Sequence, residues 1–199
     1  MTFYQLFLPT ATLLFVALVF VLRSVIVWKQ TGINPFVFGK TDNAHDYIGF
    51  VYKIMTSLTW VSIIPFSFAP KYYHFLNPIL YMELEEVKLI GVGLVLVAFT
   101  WTAIAQVQMS SSWRIGINYK EKTDLISHGL FNYSRNPIFL GILVTYLGTF
   151  LIAPNTISFT VLFVTYFIIQ TQVRLEEEYL EEVQGQNYTD YKKKVRRWI

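Results

Sequence analysis

Apolar residues fall in long unbroken runs rather than in alternating stripes. Three such runs extend from about Phe3 to Trp28, Tyr47 to Phe68 and Val87 to Met109, and a fourth, Ile138 to Val173, contains no charged residue. A membrane-crossing helix needs about 20 largely apolar residues, so each of the first three predicts one transmembrane helix. The fourth is too long for one. Pro154-Asn155 lies near its middle, and proline cannot continue a helical hydrogen-bond ladder, so two helices joined by a tight turn are expected. The fold class is therefore an all-α integral membrane protein of about five transmembrane helices. No linker divides the chain, which reads as a single membrane domain over 1–199. Within it, 1–112 holds three helices, and 113–199 holds a polar loop, the helical hairpin and a basic tail. The first run exceeds a signal-peptide core and no small-residue cleavage site follows it, so it is expected to be a retained helix.

The polar punctuation sets the orientation. With an odd number of spans the termini lie on opposite sides. If the C-terminus is cytoplasmic, Arg23, Lys29, Lys40, Lys53, Arg114, Lys120, Lys122, Arg135, Arg174, Lys192, Lys193, Lys194, Arg196 and Arg197 lie inside, and Lys71 and Lys88 lie outside. The positive-inside rule selects that arrangement, with the N-terminus outside. In the tail, Tyr188, Tyr191, Val195 and Trp198 recur at intervals of three and four, with cations between them. This predicts a cytoplasmic, interfacial amphipathic helix whose aromatics sit at headgroup depth.

Composition narrows the chemistry. There is no cysteine, which excludes disulfides, thiolate nucleophiles and zinc-thiolate sites. His45, His74 and His128 lie far apart, so no catalytic metal is expected, nor a nucleic-acid partner. Two polar clusters remain, Trp113 to Gly141 and Gln170 to Glu182, and the hairpin through Pro154 brings both to the same end of one helix pair. The second carries Glu176, Glu177, Glu178, Glu181 and Glu182 on one helix, where like charges repel at three- and four-residue spacing. Arg174 can offset part of that repulsion, or a bound cation can relieve it. Solvated helix ends remain an equally simple account of these glutamates.

The segment Gly129 to Gly141, Gly-Leu-Phe-Asn-Tyr-Ser-Arg-Asn-Pro-Ile-Phe-Leu-Gly, resembles the isoprenylcysteine carboxyl methyltransferase family and its phospholipid methyltransferase relatives. The likeness continues through Glu176-Glu177, Gly185 to Tyr191 and Val195-Arg196-Arg197, in the family's order and spacing, and covers roughly Trp113 to the C-terminus. It implies S-adenosylmethionine as cofactor, bound at the cytoplasmic mouth by Thr123, Leu125, Ile126, Phe131, Asn136, Pro137, Phe139 and Glu176. It further implies Trp113, Arg114 and Gln172 as substrate-binding residues and Arg174 and Glu177 as catalytic candidates. A carboxylate and aromatic faces suit a donor that is both sulfonium and ammonium.

The implied reaction is in-line methyl transfer to a lipid or lipidated acceptor that arrives from the bilayer. Phe131 and Phe139 stand where carboxyl-methylating members carry tyrosine, Asn136 where they carry histidine, and Gln172 where they carry arginine. The Arg-Asn-Pro form points toward the lipid-methylating relatives. Two other readings stay open. One is a sterol-reductase-like oxidoreductase using Lys120 and Lys122, and the other is a non-catalytic helical membrane protein. The first two helices carry no motif.

Overall fold

The computed structural model describes residues 1–36, 43–116 and 124–199. The regular structure in them is helical, with α1 at Phe3–Thr31, α2 at Ala44–Phe68 and α3 at Glu85–Met109. Three more follow: α4 at Pro137–Ile152, α5 at Thr156–Gln184 and α6 at Gln186–Lys194. Helices α1, α2, α3 and α5 are each long and apolar enough to cross a membrane, and α4 is a shorter apolar helix of 16 residues. The expected hairpin is α4 and α5, and the amphipathic tail is α6.

Local chemistry explains where the helices start and stop. Asn155 caps α5, its side chain accepting from the Ser158 N–H at 3.0 Å while the Ser158 hydroxyl accepts from the Asn155 N–H at 3.1 Å, a reciprocal cap. Asn155 is fully buried and its amide also donates to Ser62 of α2 at 2.8 Å. The turn is further tied by the Ile79 N–H, which donates to the Pro154 carbonyl at 2.8 Å. Pro137 opens α4 at its first turn, where the missing N–H costs nothing. Gly185, at φ +55°, separates α5 from α6.

Two apolar clusters fill the bundle. Tyr4, Leu8, Ile63, Phe66, Val92, Val95 and Ile152 pack at the end that holds the α4–α5 turn. Phe15, Val19, Ile142, Ile169 and Val173 pack toward the other end, called the mouth below. Helices α3 and α4 touch backbone to backbone at Gly91 and Gly148, where a Cβ on either would lie 2.7 Å from the other's carbonyl oxygen. Gly148→Ala is therefore expected to cost about 1–3 kcal/mol, the usual range for overpacking. A lowered thermal transition in detergent checks it, and an unchanged one would contradict the close packing. Between Val16 and Leu22, α1 widens into π-helical turns. Gln106 of α3 donates to the Val19 carbonyl within them at 2.8 Å, satisfying an acceptor that a regular ladder would have used.

Candidate functional site

At the mouth the chain closes on itself through one carboxylate. Glu177, 4% exposed, accepts from Arg135 Nη2 at 2.9 Å and Nε at 3.1 Å, and from Arg197 Nη2 at 2.7 Å. The remaining Arg135 nitrogen, Nη1, donates to the Val195 and Lys192 carbonyls at 2.7 and 3.1 Å. Asn136 Nδ2 donates to the Arg197 carbonyl at 3.2 Å and to Glu177 Oε1 at 3.4 Å. Residues 134–136, α5 and the C-terminal tail are thereby locked together.

Helix α6 has the amphipathic pattern expected of it, but its aromatic face packs on protein rather than at headgroups. Tyr188 and Tyr191 are buried with Val195 against Leu125 and Leu180. The Tyr191 hydroxyl donates to the Phe131 carbonyl at 2.7 Å. Burial pushes the Tyr191 phenol up to about 12, so it stays a neutral donor there. Burial raises Tyr188 as well.

Above this floor lies a cavity of about 810 Å³, toward the upper end of small-molecule sites at roughly 300–1,000 Å³. It runs along α4 from Pro137 to Thr149, roughly 18 Å at ~1.5 Å of helical rise per residue. Its mouth is aromatic and polar; its depth is walled by α1, α2 and α4. Val21 and Phe36 line it while being 58% and 40% exposed, so the cavity also reaches the flank of the bundle between α1 and α2.

Ten of the residues singled out in the sequence line this one cavity: Leu125, Ile126, Phe131, Asn136, Pro137, Phe139 and Glu176 with Trp113, Arg114 and Gln172. Glu176 accepts from Gln172 Nε2 at 2.7 Å, and among the described residues no cation pairs with it. Thr123 lies outside the described residues, as do Lys120 and Lys122. The two catalytic candidates, Arg174 and Glu177, lie in different surroundings. Arg174 is exposed, does not line the cavity, and turns back to Gln170 of its own helix at 2.6 and 2.9 Å. Both oxygens of Glu177 accept from arginines. Sequence reasoning did not assign Arg135 and Arg197 as the clamp on Glu177, nor Tyr52, Gln106 and the α1 face as cavity wall.

Residues 37–195 match a family profile described as "Protein of unknown function (DUF1295)". The chain is also similar to named proteins. It is 28% identical over 130 residues to a "Probable protein-S-isoprenylcysteine O-methyltransferase" of Oryza sativa subsp. indica, an alignment covering 61% of this chain and 67% of that protein. It is 33% identical over 82 residues to the "Protein-S-isoprenylcysteine O-methyltransferase" of Saccharomyces cerevisiae, covering 40% of this chain and 34% of that one. The Schizosaccharomyces pombe protein of that name is 33% identical over 95 residues, 46% of this chain and 40% of its own length. The chain thus spans about two thirds of the rice relative and two fifths or less of the yeast ones.

Proposed function

The chain belongs to the DUF1295 family, and from its likeness to named methyltransferases and from the cavity we propose a membrane-embedded methyltransferase that uses S-adenosylmethionine to methylate a lipid or lipidated acceptor. The observation that carries this reading is the cavity's two-ended character. Its mouth holds Glu176 beside Phe131 and Phe139, and its flank opens between two apolar helices. A carboxylate facing a cavity without a cationic partner is costly, and a ligand bearing ammonium and sulfonium charges offsets that cost. Aromatic faces favour the same cations and an adenine ring.

When bound, S-adenosylmethionine supplies an electrophilic methyl carbon. The residues of this chain bind, orient and exclude water. Glu176 holds the donor's ammonium group, with Gln172 fixing the carboxylate. Phe131, Pro137 and Phe139 form the walls, and Leu125 and Ile126 cover them from the loop. Asn136 is a positioning residue, because its amide ties the α4 start to Glu177 and to the tail. Arg135, Glu177 and Arg197 form the frame that holds the mouth shut around the donor. The acceptor's apolar part lies along the flank between α1 and α2, and alignment within such a cavity supplies much of the rate enhancement in a displacement of this type. The concentration of arginine and lysine at the mouth supports a cytoplasmic position for it and an outside position for the N-terminus.

The test is calorimetric titration of S-adenosylmethionine and its demethylated product into the protein in lipid nanodiscs. Binding with a micromolar dissociation constant is expected for both. No binding, in nanodiscs and in detergent alike, would overturn the reading.

A further inference from the structure

Three buried side-chain atoms of cavity-lining residues lack a hydrogen-bond partner among the described residues: Nε of Arg114, which bonds through its Nη1 instead, and two atoms on facing helices. Of these two, one is the hydroxyl of Tyr52 on α2, and the other is Oε1 of Gln172 on α5. Gln172 is 1% exposed. Its Nε2 is committed to Glu176 at 2.7 Å, and since an ionised carboxylate only accepts, Oε1 is the atom left facing the cavity. Tyr52 packs against the cluster formed by Ile169 and Val173, one turn of α5 away from Glu176. The ionisable neighbours that bear on its hydroxyl are Tyr146 and Glu176. Folded proteins leave few buried polar atoms unpaired, because each unmade bond is costly. Two in one cavity, on facing helices and beside the proposed donor site, therefore point to a ligand.

The cations of the cavity wall are held elsewhere. Arg135 is committed to Glu177 and to backbone carbonyls. Lys53 is exposed, with its ammonium 5.7 Å from the centre of the Phe36 ring. Arg114 Nη1 donates to the Trp113 carbonyl at 2.9 Å. Neither the Tyr52 hydroxyl nor Gln172 Oε1 has a cation bonded to it. A carboxylate placed there would offer no hydrogen to Gln172 Oε1 and would face Glu176 as a like charge. A neutral hydroxyl or unprotonated amine would satisfy both atoms, giving its hydrogen to Gln172 Oε1 and accepting from the Tyr52 hydroxyl.

We propose that Tyr52 and Gln172 bind the reacting head of the methyl acceptor, and that this head is a neutral hydrogen-bearing group, a hydroxyl or an amine, rather than a carboxylate. The inference rests on the methyltransferase reading and adds the acceptor's chemical class to it. In the reaction the acceptor's lone pair forms the bond to the methyl carbon. The carbon–sulfur bond breaks with its electrons left on sulfur as a neutral thioether. The acceptor's hydrogen leaves as a proton to solvent at the mouth.

Three probes that share one farnesyl thioether tail and differ only in the head separate the possibilities: N-acetyl-S-farnesylcysteine, the corresponding alcohol N-acetyl-S-farnesylcysteinol, and the corresponding amine, in which an aminomethyl group replaces the carboxyl. Each is titrated into the protein in nanodiscs and tested for methyl incorporation from labelled S-adenosylmethionine. The alcohol or the amine is expected to bind about tenfold or more tighter than the acid, the scale of one well-placed hydrogen bond, and to take up label. Tyr52→Phe is expected to remove that advantage while S-adenosylmethionine binding, measured in the same preparation, is retained and reports an intact fold. Gln172→Arg is expected to turn the preference toward the acid. Preference for the acid by the parent protein, or an unchanged preference in Tyr52→Phe, would overturn the acceptor class while leaving the methyltransferase reading in place. Failure of the parent protein to bind S-adenosylmethionine would overturn both.

Discussion

Glu177→Ala is expected to lower stability by about 3–5 kcal/mol, the cost of removing one partner from a buried ion pair, and to release the C-terminal tail. Glu177 is 4% exposed, and the side chain of Arg135 is 8% exposed. Without the carboxylate, Arg135 stays buried with two of its three nitrogens unpaired, and Arg197 loses the contact that holds 195–198 against α5. The neighbouring pair Lys192–Glu181 is open to solvent, at 38% and 39% exposure, and such pairs contribute about 0–1 kcal/mol. Besides it, only the bonds of Tyr191 to the Phe131 carbonyl, and of the Arg135 and Asn136 side chains and the 134–135 segment to tail carbonyls, would remain among the described hydrogen bonds. The control is Glu178→Ala, one residue along and exposed, expected within about 0.5 kcal/mol of the parent. Thermal transitions in detergent compare the two, and limited trypsin cleavage at Lys192, Lys193, Lys194 and Arg196 reports the tail directly. If Glu177→Ala melted with Glu178→Ala and its tail stayed protected, the double clamp would not be what closes the mouth.

The same residues show what the sequence could and could not disclose. Uncharged runs require helices because a bilayer leaves no other partner for their backbone groups, so the helices and the proline turn at Pro154 were legible. The ten cavity residues were named through the family resemblance, not through any pattern of their own. The Arg135–Glu177–Arg197 clamp was not legible. Its members stand 42 and 20 residues apart, and charge pairing over such distances leaves no periodic trace. Tyr188 and Tyr191 present a similar ambiguity. An amphipathic period states that one face is apolar, not whether lipid or protein covers it, and here protein does. Tyr52 and Val21 look like any lipid-facing residue of an apolar helix. Their place in the cavity wall follows only from how α1 and α2 sit around the α4–α5 hairpin.

Glu176→Gln is expected to weaken S-adenosylmethionine binding roughly 30- to 4,000-fold, and Glu176→Ala at least as much. Truncating one member of a buried, hydrogen-bonded charge pair costs about 2–5 kcal/mol, and about 1.4 kcal/mol is a factor of ten in affinity. The glutamine variant keeps size and hydrogen bonding and removes only charge, so its loss measures attraction for the ligand's cation rather than packing. Its own stability is expected to stay close to the parent or to rise. The carboxylate has no cationic partner among the described residues, and an uncompensated charge away from water is a cost to the folded state. Binding and stability should therefore move in opposite directions at Glu176 and fall together at Glu177, one turn of reasoning apart on adjacent residues. Calorimetry and thermal transitions on the same nanodisc preparations give both quantities. A Glu176→Gln protein that bound S-adenosylmethionine as tightly as the parent would remove the carboxylate from the donor site, and the ammonium group would then have no anionic partner among the described cavity-lining residues except Asp124 at the exposed loop.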